Sequence, residues 1–241
     1  MVGKSEVVEP LDLPTLGGLL GLLAHDLRNP LSALQSNLGF LASTDYVIDA
    51  DGREAIDDGL VSCDGLAHII ANIDLIGQLL RGGVGSEGGI IDFRVLVEEI
   101  IASCGPVAKS HNVSVHFRSD ASAACLARGD RDLVVRAITN LLRNSIQHSA
   151  SGSVIRVSVR LEPTEVVVRV EDQGTVLGPE ERSRAFTAVG QISSKLVPTG
   201  RYSRGLGLFA ARIAAEATRA SVRAVDSSTG GSAFEFAASR A

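Results

Sequence analysis

Ala24-His25-Asp26-Leu27-Arg28-Asn29-Pro30-Leu31-Ser32-Ala33-Leu34 sets a histidine, an acid, an amide and a proline inside a leucine-rich segment. Around it Leu13, Gly17, Leu20, Ala24, Leu27, Leu31, Leu34, Leu38 and Leu41 recur at alternating spacings of four and three, the seam of a helix packed in a bundle. His25 lies one step off that seam. It can anchor its helix and still show its imidazole to a visiting partner, with Asn29 and Ser32 one and two turns along the same face. Pro30 lacks the N–H that would bond the carbonyl of Asp26, so the helix is expected to kink or loosen just after the histidine. Strain beside a reactive group makes His25 a candidate phosphate acceptor.

Working outward, Pro14 can open this helix, which is expected to reach about Ser43, a length of about 45 Å. Thr44 to Gly52 carries loop signals, and a second helix is expected from about Arg53 to Arg81, striped by Ile56, Leu60, Leu66, Ile69, Ile73 and Ile76. A hairpin of two such helices buries only part of its apolar stripe. The economical solution is two chains pairing as a four-helix bundle, so the pattern predicts a homodimer.

The glycine-rich run from Gly82 to Gly89 reads as a flexible linker, which divides the chain into residues 1–85 and 86–241. Beyond it the pattern changes. Short strands are expected at Ile90 to Phe93, Val113 to Arg118, Ala123 to Ala127, Val154 to Leu161, Val166 to Val170, Val222 to Val225 and Ala233 to Phe236. Helices are expected from Val95 to Ser110, distorted at Gly105-Pro106, then after the cap Asp130, and from Leu206 to Thr218. Such a mixture, joined by hairpins rather than regular crossovers, predicts a two-layer α+β sandwich behind an all-α hairpin.

Composition narrows the class. At 241 residues with 45% hydrophobic content the chain can fill a core. The net charge of -5 argues against a nucleic-acid partner, and it is uneven: -8 over residues 1–85 and +3 over 86–241. The apolar run Leu16 to Ala24 falls well short of the roughly 20 residues of a membrane span. Lys4, Glu6 and Glu9 do not suit a signal peptide, so no membrane association and a cytoplasmic location are expected. Cys63, Cys104 and Cys125 read as reduced core thiols, with no zinc or disulfide.

Three further motifs bear chemistry. Asn140 and Asn144 stand four residues apart on one face of a helix whose other face is leucine. Their oxygens could share a hydrated Mg²⁺ with a triphosphate, or simply form a solvated face. Asp172, ahead of Gly174 at the end of a strand, could accept a hydrogen bond from an exocyclic amine such as that of adenine, or be an ordinary turn residue. Gly205 and Gly207 begin a helix, where free N–H groups favour phosphate, and Lys195, Arg201 and Arg204 could add charge.

In this order the pieces closely resemble the histidine kinases of two-component signalling, over nearly the whole chain from about Leu16 to Phe236. His25 falls in the phospho-accepting box, Asn140 and Asn144 in the asparagine box, Asp172 and Gly174 in the first glycine box, Phe186 in the phenylalanine box, and Gly205 and Gly207 in the second glycine box. The resemblance implies a dimerisation and phosphotransfer hairpin joined to a Bergerat-type (GHKL) ATP-binding domain. It implies that His25 attacks the γ-phosphate of ATP, with Asp26 as base and orienting group. Asn144, supported by Asn140, would coordinate Mg²⁺, Asp172 would read adenine, and Gly205 to Gly207 would cradle phosphate under a lid from Gly174 to Arg204. The phosphate would pass to an aspartate on the receiver domain of a response regulator. Asn29 falls where many relatives place a residue that helps dephosphorylate that regulator, which implies a reverse phosphatase activity.

No sensing segment stands among these motifs, so input is expected from a separate partner protein or from a part missing from this chain. Val176 replaces the second glycine usual in the first glycine box. That departure carries the alternative reading, a kinase-like phosphotransferase or scaffold that receives phosphate on His25 from another protein. His68, His111 and His116 match no box and read as ordinary helix or strand histidines.

Overall fold

A computed structural model describes residues 12–43, 48–82, 88–119, 124–188, 190 and 206–241. Two long antiparallel helices come first, α1 (Leu13–Ser43) and α2 (Ala50–Leu80). The Asp49 side chain caps α2 by accepting from the Gly52 N–H, which starts the helix a few residues before the apolar stripe suggests. The helix α1 continues through Pro30, so the proline does not interrupt it. Ala24, Leu31, Cys63 and Ile70 form a small core between the two helices.

Only one side of the α1 seam is buried against α2. Gly17, Ala24 and Leu31 are covered, whereas Leu13, Leu27, Leu34 and Leu41 on the other side of the stripe are exposed, as are Leu66 and Ile69 of α2. Among the described residues, α2 is the one helix long and apolar enough by composition to cross a membrane. Its Asp64, His68, Asn72 and Asp74 bond to α1 or to the second half of the chain, which is the pattern of a bundle helix.

The sandwich follows. It comprises β1 (Gly89–Asp92), α3 (Phe93–Ser110), β2 (Ser114–Ser119), β3 (Leu126–Gly129), α4 (Arg131–His148), β4 (Val154–Leu161), β5 (Glu165–Glu171), the short α5 (Pro179–Arg184), α6 (Gly207–Ala217), β6 (Ser221–Val225) and β7 (Ala233–Ser239). The main sheet runs β2-β4-β5-β7-β6, and β1 pairs with β3 in a separate two-stranded ribbon. β2 and β4 are parallel and the other pairs antiparallel. The helix α3 passes through Pro106 unbroken, and Asp92 and Asp130 cap α3 and α4 with their side chains.

Helices α3, α4 and α6 cover one face of the sheet. Phe93, Ile138, Leu141, Ile146, Leu208, Phe234 and Phe236 are fully buried between the layers. The same core takes in Leu75 and Ile76 from the end of α2, so hairpin and sandwich share apolar contacts there. Cys63, Cys104 and Cys125 are buried, each outside any disulfide.

Candidate functional site

On α1 the His25 imidazole is exposed, and its Nδ1 lies 3.3 Å from Asp26 Oδ1. A carboxylate beside Nδ1 can accept from that nitrogen and so orient the ring. Asn29 is exposed one turn further along. Arg28 crosses to α2, donating to Asp74 at 2.9 Å.

The nucleotide-type motifs converge in the sandwich. Asp172 is fully buried at the end of β5, where its Oδ1 accepts from the backbone N–H groups of Gly174 (2.9 Å) and Ser232 (3.1 Å). Gly174 is needed there because an added Cβ would lie 2.4 Å from the carbonyl oxygen of His148, at the end of α4. At the other end of the site a Cβ on Gly207 would come 3.1 Å from Asn140 Oδ1. The start of α6 therefore abuts the asparagine helix, and its N-cap Leu206 makes no side-chain cap bond. Asn144 presents a buried Nδ2 with no hydrogen-bond partner. A buried amide N–H group without a partner suits a phosphate oxygen as its acceptor. Phe186 is buried and packs edge-on against Phe234 at a centroid distance of 6.0 Å.

Val176 is 58% exposed. Among the described non-glycine residues positive φ occurs at Asn112 and Arg219, so Val176 takes ordinary backbone geometry and is not strained. Lys195, Arg201, Arg204 and Gly205 lie outside the described residues, as does the second half of the expected lid apart from Gly190.

His68 departs from its expected role as an ordinary helix histidine. Its Nε2 lies 2.9 Å from Asn140 Oδ1, and Asn72, one turn on, exchanges two hydrogen bonds with the same amide at 2.8 and 3.0 Å. Asn140 Nδ2 also donates to the Arg136 carbonyl, which fixes the orientation of the amide. With Oδ1 as acceptor, His68 must be the donor. Burial, and then the nearby Arg143, push the His68 pKa down to about 4, so the ring is neutral near pH 7. Arg143 donates to Asp64 at 2.6 Å, and Arg136 donates to the Ala71 carbonyl. The polar line Asp64, His68, Asn72 at four-residue spacing was the available signal for this contact.

An exposed histidine on a helical hairpin is thus joined to an α+β sandwich with an asparagine helix, a buried strand-end aspartate and a glycine-started helix, a two-part build of hairpin and sandwich. The chain belongs to the histidine kinases of two-component signalling. The family model of the His Kinase A (phospho-acceptor) domain matches residues 15–80, and that of histidine kinase-, DNA gyrase B-, and HSP90-like ATPases matches residues 129–240. The sensor protein KdpD of Clostridium acetobutylicum is 25% identical over 223 residues, covering 90% of this chain and 24% of that protein. The sensor-like histidine kinase SenX3 of Mycobacterium tuberculosis is 25% identical over 168 residues, covering 68% of this chain and 39% of its own length. The chain thus spans well under half of these relatives. Among solved structures, full-length ShkA in complex with AMPPNP aligns with a TM-score of 0.61 at 18% identity, over 93% of this chain and 46% of that one. The catalytic domain of the histidine kinase ThkA aligns at 0.54 and 18%, over 64% and 98%.

Proposed function

We propose that this chain is an ATP-dependent protein histidine kinase that autophosphorylates His25 and passes the phosphate to an aspartate of a response-regulator receiver domain. The observation that supports this reading is that Gly174, next to Asp172, and Gly207 both pack against α4, the helix of Asn140, in a chain whose hairpin presents His25 with Nδ1 near Asp26. His25 Nε2 forms a bond to the γ-phosphorus as the bond to the bridging oxygen breaks and ADP leaves. Asp26 orients the ring, balances its developing positive charge and takes up the Nδ1 proton.

Asp172, held by two backbone N–H groups, recognises the adenine amine, and the start of α6 with Gly205, Gly207, Lys195 and Arg204 holds phosphate. Asn144, supported by Asn140, would hold Mg²⁺, which neutralises charge on the triphosphate. Asn29 serves the reverse dephosphorylation of the regulator. The proposed working form is a homodimer in the cytoplasm, addressed by a separate input protein. Residues 1–85 serve dimerisation and phosphotransfer, and residues 86–241 bind ATP. The phosphotransferase or scaffold alternative is not favoured, because Val176 lies within the matched ATPase segment and carries no backbone strain.

The test is incubation with γ-labelled ATP and Mg²⁺, beside His25→Ala and Asn144→Ala. An acid-labile, base-stable label that disappears in both variants is expected. Label that survives in His25→Ala would sink the assignment of the acceptor.

A further inference from the structure

We propose that α2 acts as a latch on the asparagine box, and that the arrangement described above is a resting state from which α2 must withdraw before Asn140 can serve a nucleotide. This rests on the nucleotide reading of that site. Asn140 is 1% exposed, and its amide has no bonding capacity left. Oδ1 accepts from His68 and Asn72, while Nδ2 donates to Asn72 and to the Arg136 carbonyl. An amide offers two acceptor lone pairs and two donor hydrogens, so any ligand on Asn140 has to displace α2.

The contact extends beyond one residue. On α2 the participants are Asp64, His68, Ala71 and Asn72, one helical face, and on α4 they are Arg136, Asn140 and Arg143, again one face. Gly65 lies along the same contact, where a Cβ would sit at ordinary van der Waals distance, 3.8 Å, from an Arg143 guanidinium nitrogen. Leu75 and Ile76 continue the same side of α2 into the apolar core of the sandwich. Asn144, one turn beyond Asn140, keeps a buried Nδ2 without a partner. That is the condition of a site closed over a group whose ligand comes only on opening.

In this arrangement Asn72 and His68 are positioning residues that act through Asn140. Replacing Asn72 by leucine keeps the volume and deletes both reciprocal bonds. It leaves a buried amide short of partners in the latched state only, and so favours opening.

The test measures AMPPNP binding with Mg²⁺ by titration calorimetry on the full chain. Asn72→Leu is expected to bind about tenfold more tightly than the unaltered protein, the effect of roughly two net hydrogen bonds. A second arm uses Asp64→Cys with Arg143→Cys, joined by a bis-methanethiosulfonate linker that a reductant removes. The linked protein is expected to bind AMPPNP more weakly than the same sample after reduction, so each preparation is its own folding control. Equal affinity in linked and reduced samples, with Asn72→Leu also unchanged, overturns the latch and leaves the kinase reading standing. No binding in any form, reduced and Asn72→Leu samples included, overturns the nucleotide reading and the latch together.

Discussion

Gly17 of α1 and Gly77 of α2 touch backbone to backbone: a Cβ on Gly17 would lie 2.7 Å from the Gly77 carbonyl oxygen, and one on Gly77 would lie 2.9 Å from that of Gly17. Arg81 closes the crossing by donating to the Gly17 carbonyl at 2.7 Å. Gly77→Val must push the helices apart at this point. The expected cost is about 1–3 kcal/mol, as for overpacking elsewhere, read as a lower midpoint in thermal or urea unfolding. An unchanged midpoint would mean that the crossing yields freely.

Asp26 touches the reacting ring without touching the nucleotide site of its own sandwich. Asp26→Asn is expected to lower the autophosphorylation rate by about 10²-fold or more while leaving AMPPNP affinity within experimental error. A matching loss of affinity would instead place Asp26 in nucleotide binding.

Asp172 has one carboxylate oxygen committed to the Gly174 and Ser232 N–H groups, which aims the side chain from the end of β5. Asp172→Asn is expected to weaken ATP binding about ten- to a hundredfold, the range for losing a hydrogen bond to a charged group. Near-UV circular dichroism would verify that the sandwich is intact. Full affinity in a folded variant would remove Asp172 from the base-recognition role.

The exposed leucines of α1 call for a partner, and Leu27 and Leu34 lie at their middle. Leu27→Asp together with Leu34→Asp is expected to convert a dimer to a monomer in light scattering, since a buried unpaired carboxylate is costly. A parent protein that is monomeric at micromolar concentration would rule out the four-helix assembly.

Glu235 on β7 sits almost fully buried under Arg160, Arg169 and Arg223. Burial alone would raise its pKa, but hydrogen bonds from Arg223 and Arg169 and the charges of Arg223 and Arg160 outweigh it, and the carboxyl is held below its usual 4.5. A carboxylate depressed by folding stabilises the native state above its unfolded pKa and loses that contribution as pH falls through the folded one. The melting temperature should therefore drop below about pH 4.5, and Glu235→Gln should be less stable at pH 7 and show a shallower acid decline. Parallel acid curves for the two proteins would show that the cluster has no part in acid unfolding.

Much of the architecture was legible because it is written in local patterns. The leucine seam gave α1, the Asp130 cap gave the start of α4, and alternation gave β4 with its observed limits, Val154–Leu161. The motifs that carry His25, Asp172 and Asn140 are short and local, although Asp172 also takes a bond from Ser232 and Asn140 is held by His68 and Asn72, all distant in the chain. Pro30 was overread. It removes one backbone bond, while Ala24 and Leu31 on either side stay packed against α2 and hold the helix. The α2 face was missed because the apolar stripe of Ile56 to Ile76 dominates the periodicity. The four-residue spacing of Asp64, His68 and Asn72 marks a polar face on α2, but it does not say which partner, 72 positions from His68, that face meets.

The face of α2 that meets α4 also bears on how far the two halves are interchangeable. Residues 88–241 joined to an unrelated hairpin would keep Arg136, Asn140 and Arg143 but lose their complements Ala71, Asn72 and Asp64. Such a chimaera could fold and still misbehave. Carrying the stretch from Asp64 to Ile76 along with the sandwich preserves the fitted pair, so a graft cut ahead of Asp64, rather than in the glycine run, takes the matching surface across.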